Sequence, residues 1–215
     1  MMAVSLADLR LNYTQGGLLE TDAADHPFEQ FQRWLEQAVS AELPDPNAMT
    51  LATTTEEGKP MARMVLLKGL DERGFVFFTN YQSQKSRQLT AFPWASLVFW
   101  WAALERQVRV EGAVEKVGAA ESDAYFQSRP RSSQLGAWAS PQSETILGRS
   151  VLEDRLREAE QRWGDGPIPR PSHWGGWRVV PRQLEFWQGR PRRLHDRILY
   201  TLEDDGAWTK SRLAP

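Results

Sequence analysis

Cysteine is absent from this chain of 215 residues, which excludes a disulfide framework, a thiolate metal site and a cysteine nucleophile, and suits a reducing compartment. Histidine is scarce. The three present, His26, His173 and His195, stand alone in the sequence, without the spacing that sets two on one ion, so no metal site is expected. No apolar run approaches the length of about 20 residues that spans a bilayer. The start, Met1 to Leu11, lacks an apolar core followed by a small-residue cleavage site. The expectation is a soluble, cytoplasmic protein that is neither exported nor membrane-bound. No glycine-rich phosphate loop of the P-loop or dinucleotide type occurs, and no Gly-x-Ser-x-Gly elbow. A net charge of -2 argues against a general nucleic-acid binder. Internal repeats and low-complexity tracts are also missing.

What is present suffices for one large domain, since 41% of the residues are hydrophobic. Ten tryptophans supply large apolar surfaces for a core or a subunit interface. Residues 1–25 mix small, polar and acidic groups without a sustained period and read as a mobile arm, leaving 26–215 as the domain. Asp25-His26-Pro27 then caps a helix whose stripe is Phe28, Phe31, Trp34, Leu35 and Val39. After Pro44-Asp45-Pro46, Met49 to Thr54 and Met61 to Lys68 read as a hairpin, and Phe75 to Thr79 extends the meander. Asn80 to Thr90 reads as a polar loop entering a short helix that Pro93 ends. Ser96 to Trp101 is a dense apolar strand. Arg106 to Val117 alternates, with Val108, Val110, Gly112 and Val114 on one face.

From Ala119 to Trp163 the period is helical, broken at Pro130 and Pro141, with a long amphipathic helix around Ile146 to Trp163. Closing strands are expected at Gln183 to Trp187, Arg193 to Leu202 and Ala207 to Arg212. Strand-rich halves around a helical insert indicate an α+β fold, an antiparallel barrel with helices outside it.

Basic and hydroxyl side chains suited to gripping phosphate are scattered through the chain: Arg63, Lys68, Lys85, Arg129, Arg131, Ser132, Ser133, Arg193 and Arg197. The densest stretch is Glu185 to Arg197, with four arginines, a histidine and a tryptophan within thirteen residues. If extended, it places Arg193, His195 and Arg197 on one face, offering two permanent cations and a titratable ring to a planar anion. A solvated edge strand guarded by arginines fits the same pattern.

Several motifs in order resemble the pyridoxamine 5'-phosphate oxidase family: Arg63-Met64-Val65-Leu66-Leu67-Lys68, Phe77-Phe78-Thr79-Asn80, Leu104 to Val108, Tyr125 to Gln134, Trp174-Gly175-Gly176, Phe186-Trp187-Gln188 with Arg193 to Arg197, and the terminal Arg212-Leu213-Ala214-Pro215. The resemblance runs from about residue 10 to the end. It implies an antiparallel six-stranded split β-barrel with flanking helices that binds FMN at the interface of a homodimer. It also implies oxidation of pyridoxamine 5'-phosphate and pyridoxine 5'-phosphate to pyridoxal 5'-phosphate, with dioxygen reduced to hydrogen peroxide. Arg63, Met64, Val65, Leu66, Leu67, Lys68, Phe78, Thr79, Lys85, Gln107, Gln142, Ser143, Trp187 and Arg197 would line the flavin site. Lys68, Tyr125, Arg129 and Ser133 would hold the substrate phosphate, with Arg193 and His195 near the pyridine ring. His195 and Arg197 are expected nearest the reacting carbon, acting by position and charge.

Two features depart from a smooth transfer. Gln84 stands before Lys85 where the family usually has arginine, so a charged phosphate contact becomes a neutral one. Arg63 and Lys68 are an odd number apart, so either the strand is bulged or they serve different parts of the site. The same residues also admit a split-barrel flavoprotein acting on another small molecule, or a non-catalytic carrier of FMN or pyridoxal phosphate.

Overall fold

A computed structural model describes residues 13–215. Five α-helices and nine strands follow in the order α1 (Pro27–Ser40), β1 (Ala48–Thr54), β2 (Pro60–Leu66), β3 (Gly69–Asp71), β4 (Gly74–Asn80), α2 (Gln84–Ala91), β5 (Trp94–Trp101), β6 (Arg106–Lys116), α3 (Ala119–Ser128), α4 (Arg131–Ala139), α5 (Arg149–Trp163), β7 (Trp174–Gln188), β8 (Asp196–Leu202) and β9 (Trp208–Arg212). The sheet runs β2-β1-β5-β6-β7-β4-β3, with β8 pairing β7 and β9 pairing β8. Two compact units divide the described residues: 13–48, Leu97–Val110 and Arg182–Pro215 form the first, and Met49–Ser96 with Glu111–Pro181 the second.

In the first unit, α1 lays Pro27, Gln30, Phe31, Trp34 and Ala38 inward. This stripe lies a little off the expected one, because Val39 is 57% exposed. Phe31 meets Phe99 edge-on at 4.9 Å, and Trp34 meets Phe186 at 5.3 Å. Residues 13–25 make contacts with this unit: the Leu18 amide donates to Asp196, Arg212 donates to the Leu18 carbonyl, and Tyr200 donates to the Ala24 carbonyl. The rest of the expected arm, residues 1–12, lies outside the described residues.

In the second unit, β4 and the first half of β7 pair from Phe75↔Val179 to Asn80↔Trp174. The first closing strand, expected from Gln183, starts nine residues earlier, at Trp174. Pro181, which lacks an amide donor, sits where β7 stops pairing with β4 and, from Gln183, pairs with β8. At this crossing Gly112 has no room for a side chain, since a Cβ there would lie 2.0 Å from the Val180 carbonyl oxygen. Arg178, with its side chain 3% exposed, points among Asp71, Glu115 and Glu121 at 3.2–3.4 Å. Glu121 lies in the first turn of α3, so this arginine ties β7 to the start of that helix. A separate apolar cluster, Phe126, Leu135, Ala159, Ile168 and Trp174, packs α3, α4 and α5 over β7.

Candidate active site

A cavity of about 470 Å³ opens in the second unit, within the usual range for small-molecule sites. Met64, Val65 and Leu66 at the end of β2, Phe78, Thr79 and Asn80 at the end of β4, and Tyr125, Arg129, Ser133 and Gln142 line it, together with Lys68, Lys85 and Trp174. Strand ends and helix ends converge here, with Asn80 and Trp174 forming the last pair of the β4–β7 ladder. Met64 and Leu66 are exposed, 62% and 42%, and supply an apolar wall on the outward face of β2.

Lys85, in the first turn of α2, forms the first cationic group. Its ammonium donates to Thr79 Oγ1 at 3.2 Å, Ser83 Oγ at 3.3 Å and Gln142 Oε1 at 3.1 Å. Thr79 in turn donates to Gln142 Oε1 at 2.9 Å. All three partners of the lysine are neutral oxygens. Burial, with a further push from the charge of Arg63, lowers its pKa to about 8. Arg63 itself is spent on the barrel: it donates to the Leu51 carbonyl at 3.0 Å, to Thr53 Oγ1 at 2.6 Å and to Gln88 Oε1 at 3.1 Å. Arg63 is outside the cavity lining, whereas Lys68, beyond the end of β2, is part of it. Because β2 ends at Leu66, strand alternation does not carry through to Lys68.

Tyr125, Arg129 and Ser133 form the second group, spaced by four but on three different pieces of backbone: α3, its C-terminal cap and α4. Phe78 and Tyr125 stack with centroids 3.9 Å apart, and Trp174 continues the stack at 5.5 Å from Phe78. Gly176 permits this approach, because a Cβ there would stand 2.9 Å from the Phe78 ring. The Arg129 guanidinium lies 4.7 Å over Trp174. Its Nη1 is buried and has no hydrogen-bond partner. Burial holds the Arg129 pKa below its ordinary value and pushes that of Tyr125 up, with Arg129 partly offsetting the latter. A buried guanidinium donor without an acceptor is a costly arrangement that an anion relieves.

The C-terminal arginine stretch belongs to the first unit, and its backbone departs from the extended reading. Pro191–Arg193 form a 3-10 turn in which Arg192 and Arg193 have φ of 60° and 61°. Alternation starts only at Asp196, so Arg193, His195 and Arg197 do not share a strand face. His195 Nδ1 accepts the Arg190 amide at 3.1 Å, which requires that nitrogen to be unprotonated and puts the proton of the neutral ring on Nε2. Burial, reinforced by Arg193 and opposed by Asp196, holds the His195 pKa below its ordinary value. Tyr13 and Trp187 flank the ring at centroid distances of 5.7 and 4.6 Å. Arg197 donates to buried Glu185 at 2.7 Å, which raises its pKa, and to the Ala214 carbonyl at 2.8 Å. Its guanidinium is thus held between Glu185 and the carbonyl of Ala214 in the terminal segment.

Comparison with known proteins decides the family. Residues 35–163 match the family described as pyridoxamine 5'-phosphate oxidase, and residues 174–215 match the pyridoxine 5'-phosphate oxidase C-terminal dimerisation region. The chain belongs to the pyridoxamine 5'-phosphate oxidase family. Its relatives named pyridoxine/pyridoxamine 5'-phosphate oxidase include one from Synechocystis, 69% identical over the whole of both chains. Another, from Trichormus variabilis, is 60% identical over 98% of this chain and 99% of its own. Among solved structures, PhzG from Burkholderia lata, in complex with tetrahydrophenazine-1-carboxylic acid, aligns with a TM-score of 0.86 and 30% identity over 92% of this chain and 98% of its own. A pyridoxamine 5'-phosphate oxidase-related, FMN-binding protein from Nostoc punctiforme shares the fold, at a TM-score of 0.72 and 19% identity over 89% of this chain and 100% of its own. The fold is the α+β split barrel with flanking helices expected of the family.

Of the residues the family resemblance implied, the cavity brings together Met64, Val65, Leu66, Lys68, Phe78, Thr79, Lys85, Tyr125, Arg129, Ser133 and Gln142. Leu67 is buried and outside the lining, Gln84 is exposed at the start of α2, and Ser143, with φ of 74°, follows Gln142 without lining it. Gln107, Trp187, Arg193, His195 and Arg197 lie in the first unit. Trp174, Asn80 and Ser140 line the cavity but were not singled out as site residues from the sequence. For Trp174 the signal was available: an aromatic beside Gly175-Gly176, two residues that let neighbouring rings come close. Among the described residues no group of histidine and carboxylate side chains could hold a metal, and no helix is long and apolar enough to cross a membrane.

Proposed function

We propose that this chain catalyses the FMN-dependent oxidation of pyridoxamine 5'-phosphate and pyridoxine 5'-phosphate to pyridoxal 5'-phosphate, with dioxygen reduced to hydrogen peroxide. The observation that carries the reading is a single cavity with two cationic groups, each short of an anion: Lys85 among neutral oxygens, and Arg129 with a buried Nη1 that nothing accepts. Two phosphates, one from the cofactor and one from the substrate, match that deficit. Family membership and the names of full-length relatives support the same reaction.

FMN fits the residues present. Lys85, Thr79 and Gln142 offer donors and an amide to a phosphate, and Met64, Val65 and Leu66 offer an apolar wall to a flat ring. When bound, FMN supplies the two-electron redox chemistry that no side chain here provides. The protein's share is placement. Lys68, Tyr125, Arg129 and Ser133 grip the substrate phosphate, a doubly charged group suited to an arginine fork, a lysine and hydroxyl donors. The stacked rings of Phe78, Tyr125 and Trp174 keep water from that end of the cavity. His195 and Arg193 address the pyridine ring, with the neutral His195 presenting Nε2–H, and Arg197 and Trp187 stand by the cofactor. The oxidation removes a hydride from C4' of the substrate and a proton from its hydroxyl or amine. With the amine, water hydrolyses the resulting imine and ammonia leaves. The homodimer holds FMN at its interface, each cofactor touched by both chains, and residues 174–215 supply the dimerisation region.

PhzG is solved in complex with tetrahydrophenazine-1-carboxylic acid, a ring system without a phosphate, which makes an unphosphorylated substrate the competing reading. The second cationic group favours a phosphorylated substrate. Oxygen consumption distinguishes them: the FMN-loaded protein is expected to turn over pyridoxine 5'-phosphate and to leave unphosphorylated pyridoxine almost untouched. Equal rates with both would set the phosphate grip aside.

A further inference from the structure

Gln134 follows Ser133 in α4, is 7% exposed, and has no part in the cavity lining. Its amide nitrogen lies 3.1 Å from the Phe126 carbonyl oxygen, 3.2 Å from that of Gln127 and 3.1 Å from that of Arg129. These carbonyls close α3, where the last turn of a helix leaves acceptors short of helical partners, and that of Phe126 also accepts the Arg129 backbone amide at 3.2 Å. The helix must stop there, because Pro130 forces the preceding residue out of helical geometry, and Arg129 turns to φ -75°, ψ 148°. The buried amide of Gln134 is therefore the side-chain donor that gathers three carbonyls at the break. Its own backbone amide bonds the Pro130 carbonyl at 3.1 Å, so the side chain is anchored from its root.

We propose that Gln134 is a positioning residue for Arg129. It fixes the backbone from which that arginine extends over Trp174 at the cavity lining, where its buried Nη1 has no partner of its own. The identity of the anion as the substrate phosphate rests on the function proposed above; the positioning itself requires only that a phosphate bind there. Gln134→Glu keeps the shape but sets a carboxylate against three carbonyl oxygens. Gln134→Met keeps the volume and removes the donor without the repulsion. Neither touches Lys85 or its partners.

The test uses the FMN-saturated protein, so that the Lys85 group is occupied, and measures inorganic phosphate binding by calorimetry beside KM and kcat for pyridoxine 5'-phosphate. Gln134→Glu is expected to weaken phosphate binding and raise KM together by about tenfold, equivalent to about 1.4 kcal/mol, with kcat and FMN content near wild type. Gln134→Met is expected to fall between. Unchanged phosphate affinity in a folded Gln134→Met would overturn the proposal, as would a parallel fall of kcat, FMN content and melting temperature in both variants. A wild type that binds phosphate but does not oxidise the vitamer would count against the proposed function alone, and the phosphate arm would still decide the role of Gln134.

Discussion

Lys85 carries its charge into a place that offers only the oxygens of Thr79, Ser83 and Gln142, and it responds by giving up its proton near pH 8. A phosphate dianion beside it reverses that preference, because an opposite charge favours the protonated amine. Below about pH 8 the free protein already carries the ammonium, and the phosphate binds to a ready cation. Above it, binding must take up a proton, and affinity declines as pH rises. FMN affinity measured at pH 7 and pH 9 is expected to be weaker at the higher value, with the dependence lost in Lys85→Gln. An affinity that is flat in the wild type would remove Lys85 from the phosphate contact. This depressed lysine was not legible in the sequence. The residue could be quoted from its motif, but its isolation from carboxylates is a property of the fold.

The elements place these groups more firmly than the residues alone suggest. Arg178, buried on β7, faces three carboxylates that are each about half exposed, 40–55% by side chain. Burial pushes the Asp71 carboxyl up, but the hydrogen bonds from Arg73 and the charge of Arg178 hold it net below its ordinary value. A carboxylate so depressed stabilises the fold above its unfolded pKa, and that contribution is lost as pH falls through the folded one. Arg178→Met is expected to cost about 2 kcal/mol near neutral pH, less than the usual loss of a buried pair because the orphaned carboxylates reach water. The difference from wild type should shrink below about pH 4, where carboxylates protonate. Urea unfolding at the two pH values reads both effects, and an equal loss at both would argue for packing alone.

At this scale the sequence was readable where periodicity is strong. The hairpin of β1 and β2, the alternation along β6 and the helices broken at Pro130 and near Pro141 were all expected. It was not readable where a local exception rules. β3 has only three residues, the first half of β7 hides behind Gly175, Gly176 and Pro181, and two left-handed arginines turn the chain before His195. Gly112 shows why such exceptions escape a pattern. It sits in an alternating strand, yet what it answers to is the Val180 carbonyl of another strand.

For the whole molecule, the family was legible because motifs spread from Arg63 to the last residue occur in order, and relatives align along their full length. The site was legible in part. Tyr125, Arg129 and Ser133 were named together from their motif and meet at one cavity, while the division of the remaining candidates between two units required the folded chain. The central claim is that this cavity serves oxidation of a phosphorylated vitamer at a flavin. The most direct measurement is the absorbance of the FMN-loaded protein on adding pyridoxine 5'-phosphate without oxygen, then admitting air. The account predicts that the flavin bands bleach, and that they return with air as the aldehyde product accumulates. Flavin bands that stay unchanged at saturating pyridoxine 5'-phosphate would contradict it.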